Sequence, residues 1–128
     1  MEITVDFPGG KKVNARVRDF TIATDQAKES GGEGSAPEPF LYFLAALATC
    51  AGHYARSYLD HHGLPWKGMK LIQRHEFDPK THRLARVEMK FFFPPELEEK
   101  HRQAALRAAG NCAVKKVLEA PPEFAITF

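Results

Sequence analysis

Two cysteines, Cys50 and Cys112, are the residues of this 128-residue chain whose types best suit chemistry. A thiolate is a strong nucleophile, and its reactivity follows how far its surroundings depress the thiol pKa. Cys50 lies in the most hydrophobic stretch, Phe40–Ala51, where a free cysteine serves equally well as a small buried apolar side chain. Cys112 follows a break at Gly110-Asn111. A thiol there, at the start of a new helix, feels the positive end of the dipole, which favours thiolate; an incidental first-turn residue is the alternative. His53 stands three residues beyond Cys50, so the two share a helix face with roughly 5–6 Å between Cβ atoms. Its imidazole either draws a proton from the thiol or bonds to another polar neighbour on the helix. The other histidines, at 61, 62, 75, 82 and 101, fall on scattered elements and predict no metal centre. No CxxC occurs, which excludes a zinc ribbon, and no cofactor motif is present.

The elements that must position these groups are legible from hydrophobic period and turn chemistry. Glu2–Phe7 alternates Ile3, Val5 and Phe7 with polar residues, the pattern of a half-buried strand. Pro8-Gly9-Gly10 turns the chain into Lys11–Val17 as a hairpin partner, and Phe20–Thr24 is a third strand. Asp25–Pro39, rich in Gly and Ser, reads as a long mobile loop, a kind of segment that often carries function. Pro39 then opens a helix that is apolar on every side until Arg56 and stops near Gly63. Such a helix must be covered all round. One sheet of a chain this size covers one side only, so a second copy of the chain is the expected cover. Met69–Phe77 and His82–Phe93 form a long hairpin, Glu96–Ala109 and Cys112–Leu118 are helical, and Phe124–Phe128 is a closing strand. This order predicts one α+β domain over residues 1–128, with helices segregated from a mostly antiparallel sheet.

Composition narrows the partners. Apolar residues are 44% and charged residues 27% of the chain, which excludes disorder. The net charge is +2, from 18 basic and 16 acidic side chains mixed along the sequence, so no nucleic-acid or membrane-surface partner is expected. The uncharged stretch Phe40–Ala55 is shorter than the ~18–20 apolar residues a membrane span needs. The opening residues lack the basic-then-apolar pattern of a signal peptide. A reducing cytoplasm is the expected compartment, where a cysteine pair is more often catalytic or incidental than structural.

Taken together, these motifs resemble a known family. Ala36-Pro37-Glu38-Pro39 running into Phe40-Leu41-Tyr42-Phe43-Leu44-Ala45-Ala46-Leu47-Ala48-Thr49-Cys50-Ala51-Gly52 is similar to the reactive-cysteine helix of the OsmC/Ohr family. Asn111-Cys112-Ala113-Val114-Lys115-Lys116-Val117-Leu118 resembles that family's Cys-Pro-Val-Ser-Lys-Ala-Leu segment, and the likeness runs from Ile3 to Phe128. The resemblance implies an OsmC-like fold: an intertwined homodimer with the long central helices buried between two sheets and the active site at the dimer interface. It implies a cysteine-dependent peroxidase that reduces organic hydroperoxides or hydrogen peroxide. Cys50 would become sulfenic acid, Cys112 would condense with it to a disulfide, and an external dithiol would restore both. The family's glutamate slots, counted back from Cys50, hold Phe40 and Leu41 here. The arginine of its Gly-Gly-Arg turn is matched by Lys11 in Gly9-Gly10-Lys11, a charge without a bidentate fork. With His53 as a possible helper, the expected site is Cys50, Cys112, Lys11 and His53. The same fold used without turnover, as a dimer binding a small apolar or electrophilic ligand, is the other reading.

Overall fold

The computed structural model describes all residues, Met1–Phe128, as two compact units, Met1–Ala45 and Ala46–Phe128. The first is built on a three-stranded antiparallel meander, β1 (Thr4–Gly9), β2 (Lys12–Val17) and β3 (Phe20–Thr24), in that spatial order. Gly9 and Gly10 turn β1 into β2 with φ of 139° and 58°, values that side chains with a Cβ rarely adopt. Register is carried by small and β-branched residues: Val5 faces Ala15, which faces Ile22 on the other side.

The segment after β3, expected to be mobile, is tied around one carboxylate. Asp25 is wholly buried and accepts the N–H groups of Gln26 (2.8 Å), Glu33 (3.3 Å) and Ser35 (3.0 Å) as well as the Ser35 hydroxyl (2.6 Å). A one-turn 3₁₀ helix, Lys28–Ser30, lies inside the ring that results. A Cβ at Gly32 would sit 2.0 Å from the Gln26 carbonyl oxygen, so only glycine passes there. Lys12 pairs with Glu33 at 2.6 Å on the outside of the loop.

The Ser35 hydroxyl above all, with the N–H groups of Ser35, Gln26 and Glu33, lowers the Asp25 pKa to about 2. The value in the unfolded chain, about 3.9, is higher, so the loop's stabilisation is complete above that pH and fades as pH falls through about 2. We expect amide-exchange protection at Gln26, Glu33 and Ser35 to disappear over that acid range. Asp25→Ala should remove it already at neutral pH, and protection that survives the substitution would contradict this account.

Helix α1 (Pro39–His61) starts at the proline that the sequence marks, with Leu41 N–H bonded to the Glu38 carbonyl at 3.0 Å. Within the first unit the Tyr42 hydroxyl donates to the Ala23 carbonyl of β3 at 2.8 Å. In the second unit α1 buries Leu47, Ala51, Ala55 and Leu59, a strict four-residue repeat that lays one stripe along the helix. Ala51, Ala55 and Leu59 of this stripe pack in one core with Leu97, Ala105, Ala109 and Cys112. The strands β4 (Lys70–Phe77) and β5 (Leu84–Phe92) make an antiparallel hairpin whose Val87, Met89 and Phe91 turn inward. Asp78 builds its turn by accepting the N–H groups of Lys80 and Thr81, both at 2.8 Å. Helices α2 (Glu99–Ala109) and α3 (Ala113–Glu119) follow, and the Tyr58 hydroxyl ties α1 to α2 through His101 Nδ1 at 3.0 Å. No helix is long and apolar enough to cross a membrane.

One expectation needs correction. Phe124–Phe128 keeps strand-like alternation but forms no strand: Phe124 and Ile126 are 80% and 94% exposed. A strand exists only through a neighbour's hydrogen bonds, and this chain offers the segment none. Phe40, Leu41 and Tyr42 stand exposed at the start of α1 in the single chain.

Candidate active site

Cys50 and Cys112 are free thiols that the fold brings into hydrogen-bond contact. Cys50 is half-buried on α1, beside the buried stripe. Cys112 reaches it because α2 ends abruptly. Gly110 N–H bonds to Leu106, Asn111 N–H to Ala108 and Cys112 N–H to Ala109, and the chain then re-enters helix as α3. Cys112 is the N-cap of α3, with φ −48° and ψ 124°, and its sulfur accepts the Lys115 N–H at 3.4 Å. Serine, threonine or aspartate oxygens usually fill this role. The side chain is 1% exposed.

The two thiols are driven apart in acidity. The Val114 N–H, the Cys112 thiol and the Ala113 N–H all donate to the Cys50 sulfur, and together they outweigh burial and hold its pKa below the ordinary thiol value. Cys112 moves up, first because it is buried and then because it faces the sulfur of Cys50. Of the two, Cys50 is therefore the thiol that ionises first and Cys112 the one that keeps its proton. The sequence offers the benefit of the new helix start to Cys112, with an incidental first-turn residue as the alternative. In the structure the amides of Ala113 and Val114 serve Cys50, while at Cys112 burial outweighs the Lys115 amide.

Next to the pair lies a cavity of about 360 Å³, walled by Leu47, Ala51, Met89, Phe91, Leu106 and Cys112 among others. Lys115 is the one charged side chain in its wall, and its ammonium is engaged by Glu119 at 3.1 Å and the Gly110 carbonyl at 3.4 Å. Of the two cysteines it is Cys112 that lines the space, whose mainly apolar wall suits an apolar guest.

Of the other expected residues, His53 belongs to the same unit as the two cysteines but bonds elsewhere. His53 is exposed; its Nε2 is 3.5 Å from Ser57 Oγ and its ring meets Tyr54 edge-on. Of its two sequence-level options, bonding to another polar neighbour is the one observed. Lys11 belongs to the first unit, exposed in the β1–β2 turn. No group of three or more His, Cys, Asp or Glu side chains is close enough to hold a metal ion. The functional groups that sequence reasoning missed are the backbone N–H groups of Ala113 and Val114, whose only sequence signal is their place just after Cys112.

An antiparallel α+β fold carrying one half-buried and one buried thiol in contact defines a small dithiol protein. The sequence profile of the OsmC-like proteins matches residues 32–127, and the chain belongs to that family. No curated protein matches it in sequence. Solved structures do in fold. An OsmC-like protein from Mycoplasma pneumoniae superposes with a TM-score of 0.74 at 13% identity, over 94% of this chain and 87% of that one. An organic hydroperoxide resistance protein OsmC from Legionella pneumophila gives 0.62 at 17% identity, over 93% and 88%. The organic hydroperoxide resistance protein OhrB of Bacillus subtilis gives 0.56 at 14% identity, over 94% and 90%.

Proposed function

We propose that this chain, acting as a single OsmC-like domain, is a cysteine-dependent peroxidase for organic hydroperoxides or hydrogen peroxide. The observation that carries the reading is the sulfur pair itself: one thiol lowered, its contact partner raised, beside an apolar cavity. Cys50 thiolate attacks the terminal peroxide oxygen, an S–O bond forms as O–O breaks, and the departing alkoxide takes a proton to leave as alcohol. The Cys112 sulfur then attacks the sulfenic sulfur, an S–S bond forms, and water leaves. An external dithiol returns both sulfurs to the reduced state by exchange. Family membership and the hydroperoxide-resistance names of two structural neighbours support the same reading.

A homodimer in the cytoplasm is part of the proposal. Phe7 and Phe20 on the meander are 78% and 70% exposed, the first turn of α1 is bare, and the C-terminal apolar tail has no partner strand. Apolar surface on this scale commonly marks an interface. A second reading, favoured by the cavity alone, is a dimer that binds a small apolar ligand without turnover.

One equivalent of cumene hydroperoxide separates the two. The peroxidase reading requires the intact mass to fall by two hydrogens through a Cys50–Cys112 disulfide, and a wild-type mass that does not change leaves the binding reading standing. His53→Ala should leave the pH profile of iodoacetamide alkylation at Cys50 unchanged, since the imidazole is engaged with Ser57. A slower Cys50 in that variant would restore the histidine to the site.

A further inference from the structure

The same corner of the fold holds three sulfurs. Cys112 and Met89 both line the cavity, and Cys50 reaches Cys112 from α1. We propose that the reduced pair Cys50–Cys112, with the Met89 thioether available as a third donor, is a binding site for a soft monovalent metal ion, namely Cu(I).

The donor set argues for this class of ion and against the commoner ones. Thiolate and thioether sulfurs select Cu(I), whereas carboxylates and carbonyls suit magnesium, calcium and manganese. Zinc requires four ligands, and no third His, Cys, Asp or Glu is near enough to complete a set. Two or three sulfurs in apolar surroundings leave a low-coordinate soft cation as the fitting occupant.

Backbone donors also suit the charge. Two thiolates around Cu(I) carry a net charge of −1. Three consecutive amides face the two sulfurs: the N–H groups of Ala113 and Val114 point to Cys50, and that of Lys115 points to Cys112. Each sulfur thus has a donor of its own that orients it and disperses its charge, as outer-shell hydrogen bonds do in metal sites. Binding forms two S–Cu bonds and releases to solvent whatever protons the two sulfurs still carry. The copper enters already monovalent, so no electron moves. The site requires the reduced pair, and a Cys50–Cys112 disulfide would remove it.

The test is anaerobic titration of the reduced full chain with Cu(I) against a coloured Cu(I) chelator. The expected stoichiometry is one ion per chain. Losing an outer-shell partner commonly weakens a metal site by about 10–100-fold, so losing a sulfur in Cys50→Ser or Cys112→Ser should weaken this one by more than ~100-fold. Met89→Leu, which preserves side-chain volume, should weaken it less, and an unchanged affinity there would refute the thioether's part. Wild type oxidised with diamide tests the site without any substitution and should take up no copper. Retention by the oxidised protein or by either cysteine variant would overturn the proposal and move the copper to the histidines. Because peroxide turnover is measured on copper-free protein, either conclusion can fail while the other stands.

Discussion

Cys50→Ser is expected to abolish hydroperoxide turnover, with kcat/KM falling by roughly three orders of magnitude or more, the scale on which loss of a nucleophile registers. The serine hydroxyl would keep nearly the same shape and sit under the same amides. It would not ionise near neutral pH, so it could not attack an O–O bond. Cys112→Ser should behave differently. Cys50 still becomes sulfenic acid, so the first equivalent of peroxide is consumed, but no disulfide forms and excess peroxide drives the sulfur on to sulfinic acid. The signature is therefore a single turnover, and a mass gain of oxygen in place of the loss of two hydrogens. The measurement is dithiol-coupled turnover together with intact mass for both variants. Steady turnover in Cys50→Ser would end the peroxidase reading. Steady turnover in Cys112→Ser would end the resolving role of Cys112.

How far the fold could be read in advance depended on whether a local rule decided the element. β3 runs over Phe20–Thr24 and α1 begins at Pro39, as alternation and the helix-opening proline indicate. The hairpin β4–β5 and the break at Gly110-Asn111 follow the same kind of signal. The closing strand did not materialise because a strand depends on a neighbour, and alternation in Phe124–Phe128 says nothing of where that neighbour is. The Asp25 loop failed in the opposite direction. Its glycines and serines read as freedom, yet Gly32 is needed for a close approach to Gln26, and Ser35 is bound twice to Asp25. A buried carboxylate collecting N–H groups from ten residues of chain leaves no periodic trace in the sequence.

The site divides along the same line. The pairing of Cys50 with Cys112 was implied by the family resemblance; nothing in the 62-residue interval between them would have given it. The His53 expectation rested on i,i+3 geometry, which brings Cβ atoms near without deciding where a ring turns, and Ser57 one turn further on took the nitrogen. Backbone donors to Cys50 carry no residue identity, so a reading of side chains passes over them.

Those donors lead to the second large effect. Ala113→Pro should raise the Cys50 pKa and slow its alkylation by up to about tenfold at pH values where the thiol form predominates, because a hydrogen bond to a charged acceptor contributes roughly 1.5–3 kcal/mol and a partly exposed sulfur lies at the low end. The substitution is close to a pure deletion of one N–H. Ala113 is the first residue of α3, where proline is well tolerated because that N–H has no acceptor inside the helix. The residue before a proline must be extended, and Cys112 already has a ψ of 124°. The Lys115 N–H bond to Cys112 is left in place. Proline also occupies this slot in the family segment Cys-Pro-Val that Cys112-Ala113-Val114 resembles, so alanine gives this chain a donor that such a segment lacks. The sign is fixed by the charge state: the N–H favours thiolate, so its loss moves the inflection of the rate–pH curve upward and leaves the plateau at high pH unchanged. A variant whose curve overlays wild type would show that Ala113 contributes nothing to the thiolate, and would place the whole effect on the Val114 amide and the Cys112 thiol.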